Sequence, residues 1–261
     1  MSKRKIALVI TAACAALLIA YEFFVGDVLF STLEDSIRSL VDMTVTRLLG
    51  AAVFTTILAY LGYKVLNPIK KPFFKGLAFC LPAYVVAINN FPFSSVIKGD
   101  ATVDATIGKI FLLLAECLAV AFFEEMAFRG VIFLGFAERR RESRLGLFIS
   151  IILSSAVFGA VHLLNMFTSS PIAVLMQIGY SFLIGGMCSV VLVKTANIWH
   201  CVAVHAIFNF SGAVVPTFGT GKIWDSFTII ITAIIAVLTF VYMLVFFLRF
   251  DASETDRIYA K

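Results

Sequence analysis

The sequence predicts an all-α fold, a polytopic membrane helix bundle of about eight transmembrane helices with both termini in the cytoplasm. Three observations carry that reading. Hydrophobic residues fill 61% of the 261 positions and charged residues only 14%, with a mean hydropathy of +1.00. A soluble domain has about 45–50% apolar and about 25% charged residues, so this composition cannot supply a water-facing surface. The apolar residues also fall into runs of the roughly 20 residues that cross a bilayer, and the Lys and Arg residues divide unevenly between the connections.

The first run follows Ser2-Lys3-Arg4-Lys5. It starts like a signal peptide, but no small-residue cleavage site closes it, so it reads as a retained first span at 5–25. Further spans are expected at 46–66, 75–93, 107–137, 146–166, 172–193, 197–215 and 225–250. The stretch 28–45 carries Glu34, Asp35, Arg38 and Asp42 and reads as an interfacial helix. No repeat or linker divides the chain, so 1–261 is read as one transmembrane domain.

With the N-terminus inside, the cytoplasmic connections hold fifteen basic residues: Lys3, Arg4, Lys5, Lys64, Lys70, Lys71, Lys75, Arg139, Arg140, Arg141, Arg144, Lys194, Arg249, Arg257 and Lys261. The opposite side holds five, Arg38, Arg47, Lys98, Lys109 and Lys222, and Arg129 falls within a span. Fifteen against five satisfies the positive-inside rule for eight spans. The net charge of +5 is therefore an orientation signal. With no basic, aromatic-interleaved face, nucleic acid is not an expected partner. The five cysteines, Cys14, Cys80, Cys117, Cys188 and Cys201, show neither C-x-x-C nor zinc-type spacing and read as small apolar residues.

Ionisable groups inside a span cost about 2.5–3.5 kcal/mol each and point to function. The fourth span carries Glu116, Glu124, Glu125 and Arg129. Glu125 and Arg129 are four apart, share a helix face and can pair. Glu124 is turned about 100° away and has no local partner. A desolvated, unpaired carboxylate suits general acid–base work.

All three histidines also fall in spans: His162 on the fifth, and His200 and His205 on the seventh, where Asn209 lies one turn beyond His205. At 1.5 Å per residue, Glu124 sits about 20 Å from the cytoplasmic end of its helix, His162 about 24 Å, and His205 with Asn209 roughly 12–20 Å. Glu124 and His162 could hold a water, with Glu124 taking its proton, while His205 and Asn209 donate to a developing oxyanion. The same Glu124, His162 and His205 could instead ligate a divalent metal such as zinc with a water in the open position. No H-E-x-x-H selects that version. Intramembrane carboxylates and histidines also form proton relays in transporters. Glu116 reads as an interhelical partner, His200 as an interface residue, and Gln177 and Asn89-Asn90 as interhelical hydrogen-bonding or capping groups.

Taken in order, Glu124-Glu125-x-x-x-Arg129, Phe158-x-x-x-His162 and His205-x-x-x-Asn209 resemble the CPBP family. This family groups type II CAAX prenyl endopeptidases with bacteriocin-processing and self-immunity (Abi) proteins. The motifs lie within a core at about 107–215. The resemblance implies a multi-pass intramembrane endopeptidase of the cell membrane that acts on a peptide or lipidated protein, its site reached from the cytoplasmic side or laterally. Glu124 and His162 would activate the water, His205 and Asn209 would hold the oxyanion, and Glu125 and Arg129 would support them. Relatives are often named metalloproteases. A non-proteolytic immunity or scaffold role is the alternative, and a proton-coupled transporter the third reading. Composition and motifs leave the substrate and the oligomeric state open.

Overall fold

The computed structural model describes residues 3–25, 30–67, 73–167 and 169–259. Its helices are α1 (Lys3–Phe24), α2 (Asp35–Leu61), α3 (Phe73–Asn89), the short α4 (Phe93–Lys98), α5 (Ile107–Glu124), α6 (Leu134–Ala137), α7 (Arg144–Val161), α8 (Pro171–Thr195), α9 (Ile198–Phe218), α10 (Ser226–Leu248) and α11 (Asp256–Tyr259). Between α5 and α6 the chain stays helical but widens into a π-helix over Glu125–Phe133. A 3-10 turn, His162–Phe167, continues α7. The predicted fourth span at 107–137 is therefore one continuous rod with a wide middle.

Side chains in the connections set the starts of these helices, satisfying backbone N–H groups that have no intrahelical partner. Thr106, Ser143, Ser170, Asn197 and Asp225 cap α5, α7, α8, α9 and α10 respectively. Pro171 occupies the first turn of α8, where its missing N–H costs nothing. At the far end of α8, Ala196 takes a left-handed conformation (φ 49°) and turns the chain directly into Asn197 and α9.

Among the described residues, five helical segments are long and apolar enough to cross a membrane: Ile37–Leu61, Arg144–Phe167, Pro171–Thr195, Ile198–Phe218 and Ser226–Leu248. The stretch expected as an interfacial helix is partly the opening of α2, which runs unbroken from Asp35. Its charges do not stop the helix because Arg38 pairs with Asp35 one turn away, at 2.7 Å, and Asp42 accepts a hydrogen bond from Tyr21 of α1. Arg47 falls within the candidate span Ile37–Leu61, and its guanidinium packs over the Phe123 ring.

In the bundle α2 lies along α5, α7 pairs with α8, and α9 packs between α3, α5 and α8. The main core includes Leu58, Met126, Phe133, Leu134, Leu192 and Ile198, all fully buried around the π-helix. Small residues permit close approach. A Cβ on Gly159 would lie 3.1 Å from the Ile178 carbonyl, and one on Gly185 3.1 Å from Ser155 Oγ. By contrast, α10 exposes Ile229, Ile230, Ile234, Val237, Leu238 and Phe240, a face suited to lipid.

The two ends are closed differently. At one, strands β1 (Ala101–Val103) and β2 (Gly219–Gly221) pair antiparallel, and Asp225 ties α10 to Ser94 and Lys98 of α4. At the other, the segment after α10 folds back across the helix ends. Lys194 pairs with Glu254 at 3.1 Å, Arg144 donates to the carbonyls of Leu248 and Phe250, and Tyr259 donates to the Leu134 carbonyl.

Candidate active site

Four of the expected residues form one buried cluster where α5 becomes the π-helix. Glu125 is fully buried, and its Oε2 lies 3.2 Å from Nε of Arg129, itself only 1% exposed. His205 reaches across from α9. Its Nδ1 lies 2.7 Å from Glu125 Oε1, and its Nε2 lies 3.5 Å from Glu124 Oε2. The adjacent glutamates thus bind opposite edges of one imidazole. The Glu124 side chain retains 18% exposure and is the more accessible of the two.

The electrostatics follow from this arrangement. Lipid and packed side chains screen little, so a charge here needs a close partner. An ionised carboxylate only accepts hydrogen bonds, so Nδ1 of His205 carries a proton and donates it to Glu125. With both glutamates ionised, the cluster is neutral when Arg129 and His205 are both cationic. Moving the Nε2 proton of His205 to Glu124 leaves it neutral as well. Transfer of a proton across the 3.5 Å gap would leave the net charge unchanged.

A single aromatic ring organises the rest. Phe158, 2% exposed, lies under the Arg129 guanidinium at 4.2 Å. It also meets His162 and His205 edge-on, at centroid distances of 5.2 and 5.8 Å. Among the described residues the three guanidinium nitrogens of Arg129 have no aligned hydrogen-bond acceptor, so the ion pair and this ring are what hold the cation. Ser154 of α7 donates to the Phe128 carbonyl at 3.2 Å, supporting the π-helix backbone. A π-helix is rare and concentrates at functional sites. Its apolar pattern cannot be told from that of an α-helix, so the sequence carried no signal for it.

His162 stands at the end of α7, half-buried, one ring away from this cluster. Its Nδ1 lies 2.9 Å from the Phe158 carbonyl and its Nε2 3.4 Å from Ser181 Oγ on α8. Asn209 is half-buried one turn beyond His205 on α9. Tyr180, beside Ser181, stacks on Phe208 at 5.8 Å. Neither Ser181 nor Tyr180 stood out in the sequence. His200, near the start of α9, is buried, 4% exposed, and a Cβ on Gly76 would lie 3.2 Å from its Nε2.

The proposed metal donors do not gather around one point. His162 directs its Nε2 to Ser181, while His205, its Nδ1 held by Glu125, keeps Nε2 towards Glu124; among the described residues the three donors do not lie within 4.8 Å of one another. The group with ligand-like spacing among the described residues is Glu125, Cys188 and Cys201, whose donor atoms lie within 4.8 Å of one another. Its carboxylate is already engaged by His205 and Arg129, whose cation disfavours a second one. The Cys201 thiol is satisfied by the Cys188 carbonyl at 3.2 Å. Neither set fits a metal as arranged, and no chemical step below depends on one.

A family model described as Type II CAAX prenyl endopeptidase Rce1-like matches residues 106–211. That span holds all three motifs and every residue of the cluster. No curated protein and no solved structure matches the chain.

Proposed function

We propose, for a chain whose residues 106–211 match the Type II CAAX prenyl endopeptidase Rce1-like family model, that the buried cluster hydrolyses a peptide bond of a lipidated or membrane-associated protein. The observation that carries this reading is His205 placed between Glu124 and Glu125. When Glu124 is ionised and His205 cationic, the same neutral cluster offers a base and an oxyanion donor together. With the opposite proton placement it offers neither.

In the reaction Glu124, with His162, orients a water and takes one of its protons as the oxygen attacks the scissile carbonyl carbon. The carbonyl oxygen becomes an oxyanion, received by Nε2–H of His205 and the Asn209 amide. Collapse of the tetrahedral intermediate breaks the C–N bond, and Glu124 returns its proton to the leaving amine. Glu125 holds the Nδ1 proton of His205 throughout, and Arg129 balances Glu125. Metal ligation by Glu124, His162 and His205 would need the Nε2 of His162 to leave Ser181.

The family and the lipid-compatible exterior support a CAAX-type substrate whose prenyl chain stays in the bilayer. The basic-residue asymmetry supports eight spans, both termini in the cytoplasm, and a site approached from that side or laterally. The test is Glu124→Gln in detergent-solubilised protein, assayed on a farnesylated, internally quenched CAAX peptide. A loss of about 10²–10⁴-fold in kcat with an unchanged unfolding temperature is expected. Full activity in that variant removes the mechanism.

A further inference from the structure

Helix α8 holds a hydrogen-bonding arrangement that no motif contains. Serine and threonine hydroxyls inside apolar helices usually bond back to the carbonyl four residues earlier. Ser150, Ser189, Thr195 and Thr56 all do so here, at 2.8–2.9 Å. Ser181 lies on the same helix as Ser189 and is only 4% exposed. Its hydroxyl is instead 3.4 Å from Nε2 of His162.

The partners fix the roles. A backbone carbonyl can only accept, so the 2.9 Å contact with the Phe158 carbonyl places a proton on Nδ1 of His162. In the neutral ring Nε2 is then the lone pair, and Ser181 is its donor. One turn away, Asn165 donates to Gln177 Oε1 at 2.8 Å. His162 and Asn165 are three apart on a 3-10 turn, whose side chains eclipse at that spacing. Gln177 and Ser181 are four apart on an α-helix and share a face. The two hydrogen bonds are successive rungs between the turn and α8.

We infer that Ser181 and Gln177 are positioning residues for His162: the Phe158 carbonyl fixes the Nδ1–H tautomer, and Ser181, braced by the Gln177 rung, fixes the orientation of the ring and of its Nε2 lone pair. Resting on the hydrolytic reading above, this gives the lone pair a weak partner that a bound water replaces. At 3.4 Å the Ser181 contact is long enough to yield, yet it keeps the ring from turning. The Asn165–Gln177 rung holds the backbone that carries the ring.

The test uses full-length protein labelled with ¹⁵N-histidine, with the His162 signals assigned by their loss in His162→Asn. Wild type is expected to show a protonated Nδ1 and an unprotonated Nε2. Ser181→Ala is expected to keep the Nδ1–H tautomer, to shift the Nε2 resonance through loss of its hydrogen bond, and to lower kcat on the farnesylated CAAX peptide at least about tenfold, with KM within about twofold. Ser181→Thr restores both, and Gln177→Leu lowers kcat while leaving Ser181 in place. An unchanged Nε2 resonance and kcat in Ser181→Ala overturn the inference. So does covalent labelling of Ser181 by a fluorophosphonate, which would make it a nucleophile. If wild type cleaves no peptide, the hydrolytic reading fails, and the Nε2 resonance in Ser181→Ala still decides the positioning role.

Discussion

His205 Nδ1 lies 2.7 Å from Glu125 Oε1 while its Nε2 lies 3.5 Å from Glu124 Oε2. This relationship separates the roles of two residues adjacent in sequence. Glu125, fully buried and facing both Arg129 and His205, is an electrostatic support. Glu124 keeps the longer contact and the partial exposure that a reacting carboxylate needs. The switch from α- to π-helix falls between them, with Glu124 ending α5 and Glu125 opening the wider coil.

The first prediction follows from that division. Glu125→Gln leaves the Arg129 cation buried with only the Phe158 ring against it, and removing one partner of a buried pair costs about 3–5 kcal/mol. Thermal unfolding in detergent should show a large drop for Glu125→Gln and little change for Glu124→Gln. Adding Arg129→Met to Glu125→Gln should recover part of the loss. Equal shifts for the two single glutamate variants would remove the distinction.

A second prediction concerns Phe158, whose ring contacts Arg129, His162 and His205. Phe158→Leu keeps most of the apolar volume but removes the flat face and the edge contacts. Lost aromatic and cation–π interactions are worth about 0.5–2 kcal/mol each. Unfolding should shift by a similar amount, while peptide cleavage should fall disproportionately because both imidazoles lose their rest. Cleavage falling no further than Glu-independent losses of stability explain would reduce Phe158 to a packing residue.

What could be read from the sequence depended on contrast. Glu124, Glu125, Arg129 and His205 were legible because ionisable groups in an apolar run stand out, and their clustering is what that reading expects. The rod from 107 to 137 was legible as apolar length, but its π-helical middle was not, since both helices present similar apolar patterns. The opening of α2 was misplaced because Asp35 and Arg38 looked like an interfacial surface, whereas they pair along the helix and let it continue inward. Ser181 was silent because a serine in a span usually bonds its own helix. Only the position of α8 against His162 distinguishes it.

The third prediction is a pH dependence outside the spans. Asp225 caps α10 by accepting from the Thr228 N–H at 2.8 Å, and it also accepts from Lys98 at 2.6 Å and Ser94 at 2.8 Å. Lys98 first, then Thr228 and Ser94, hold its carboxyl well below the ordinary value of 3.8. Because the folded value is depressed, its stabilisation is fully present above that ordinary value and is lost as pH falls towards and through the folded one. The unfolding-temperature gap between wild type and Asp225→Asn should therefore be constant from neutral pH down to about 4 and narrow below it. A gap that widens in acid would contradict the assignment.

The last prediction tests whether α7–α8 spacing governs the site. A Cβ at Gly159 would sit 3.1 Å from the Ile178 carbonyl, which is backbone and yields only if α8 moves. Gly179, the next residue along α8, has nothing within 4 Å of its Cβ position. Gly179→Ala should be neutral or stabilising by about 0.5–1 kcal/mol, because alanine restricts the unfolded chain and favours the helix. Gly159→Ala should instead cost about 1–3 kcal/mol through overpacking. Pushing α7 from α8 also stretches the 3.4 Å contact of Ser181 with His162, which stands three residues after Gly159. Cleavage should fall in Gly159→Ala and persist in Gly179→Ala, measured on the same peptide beside unfolding temperatures. Matching behaviour of the two alanine variants would show that α7–α8 spacing does not control the site.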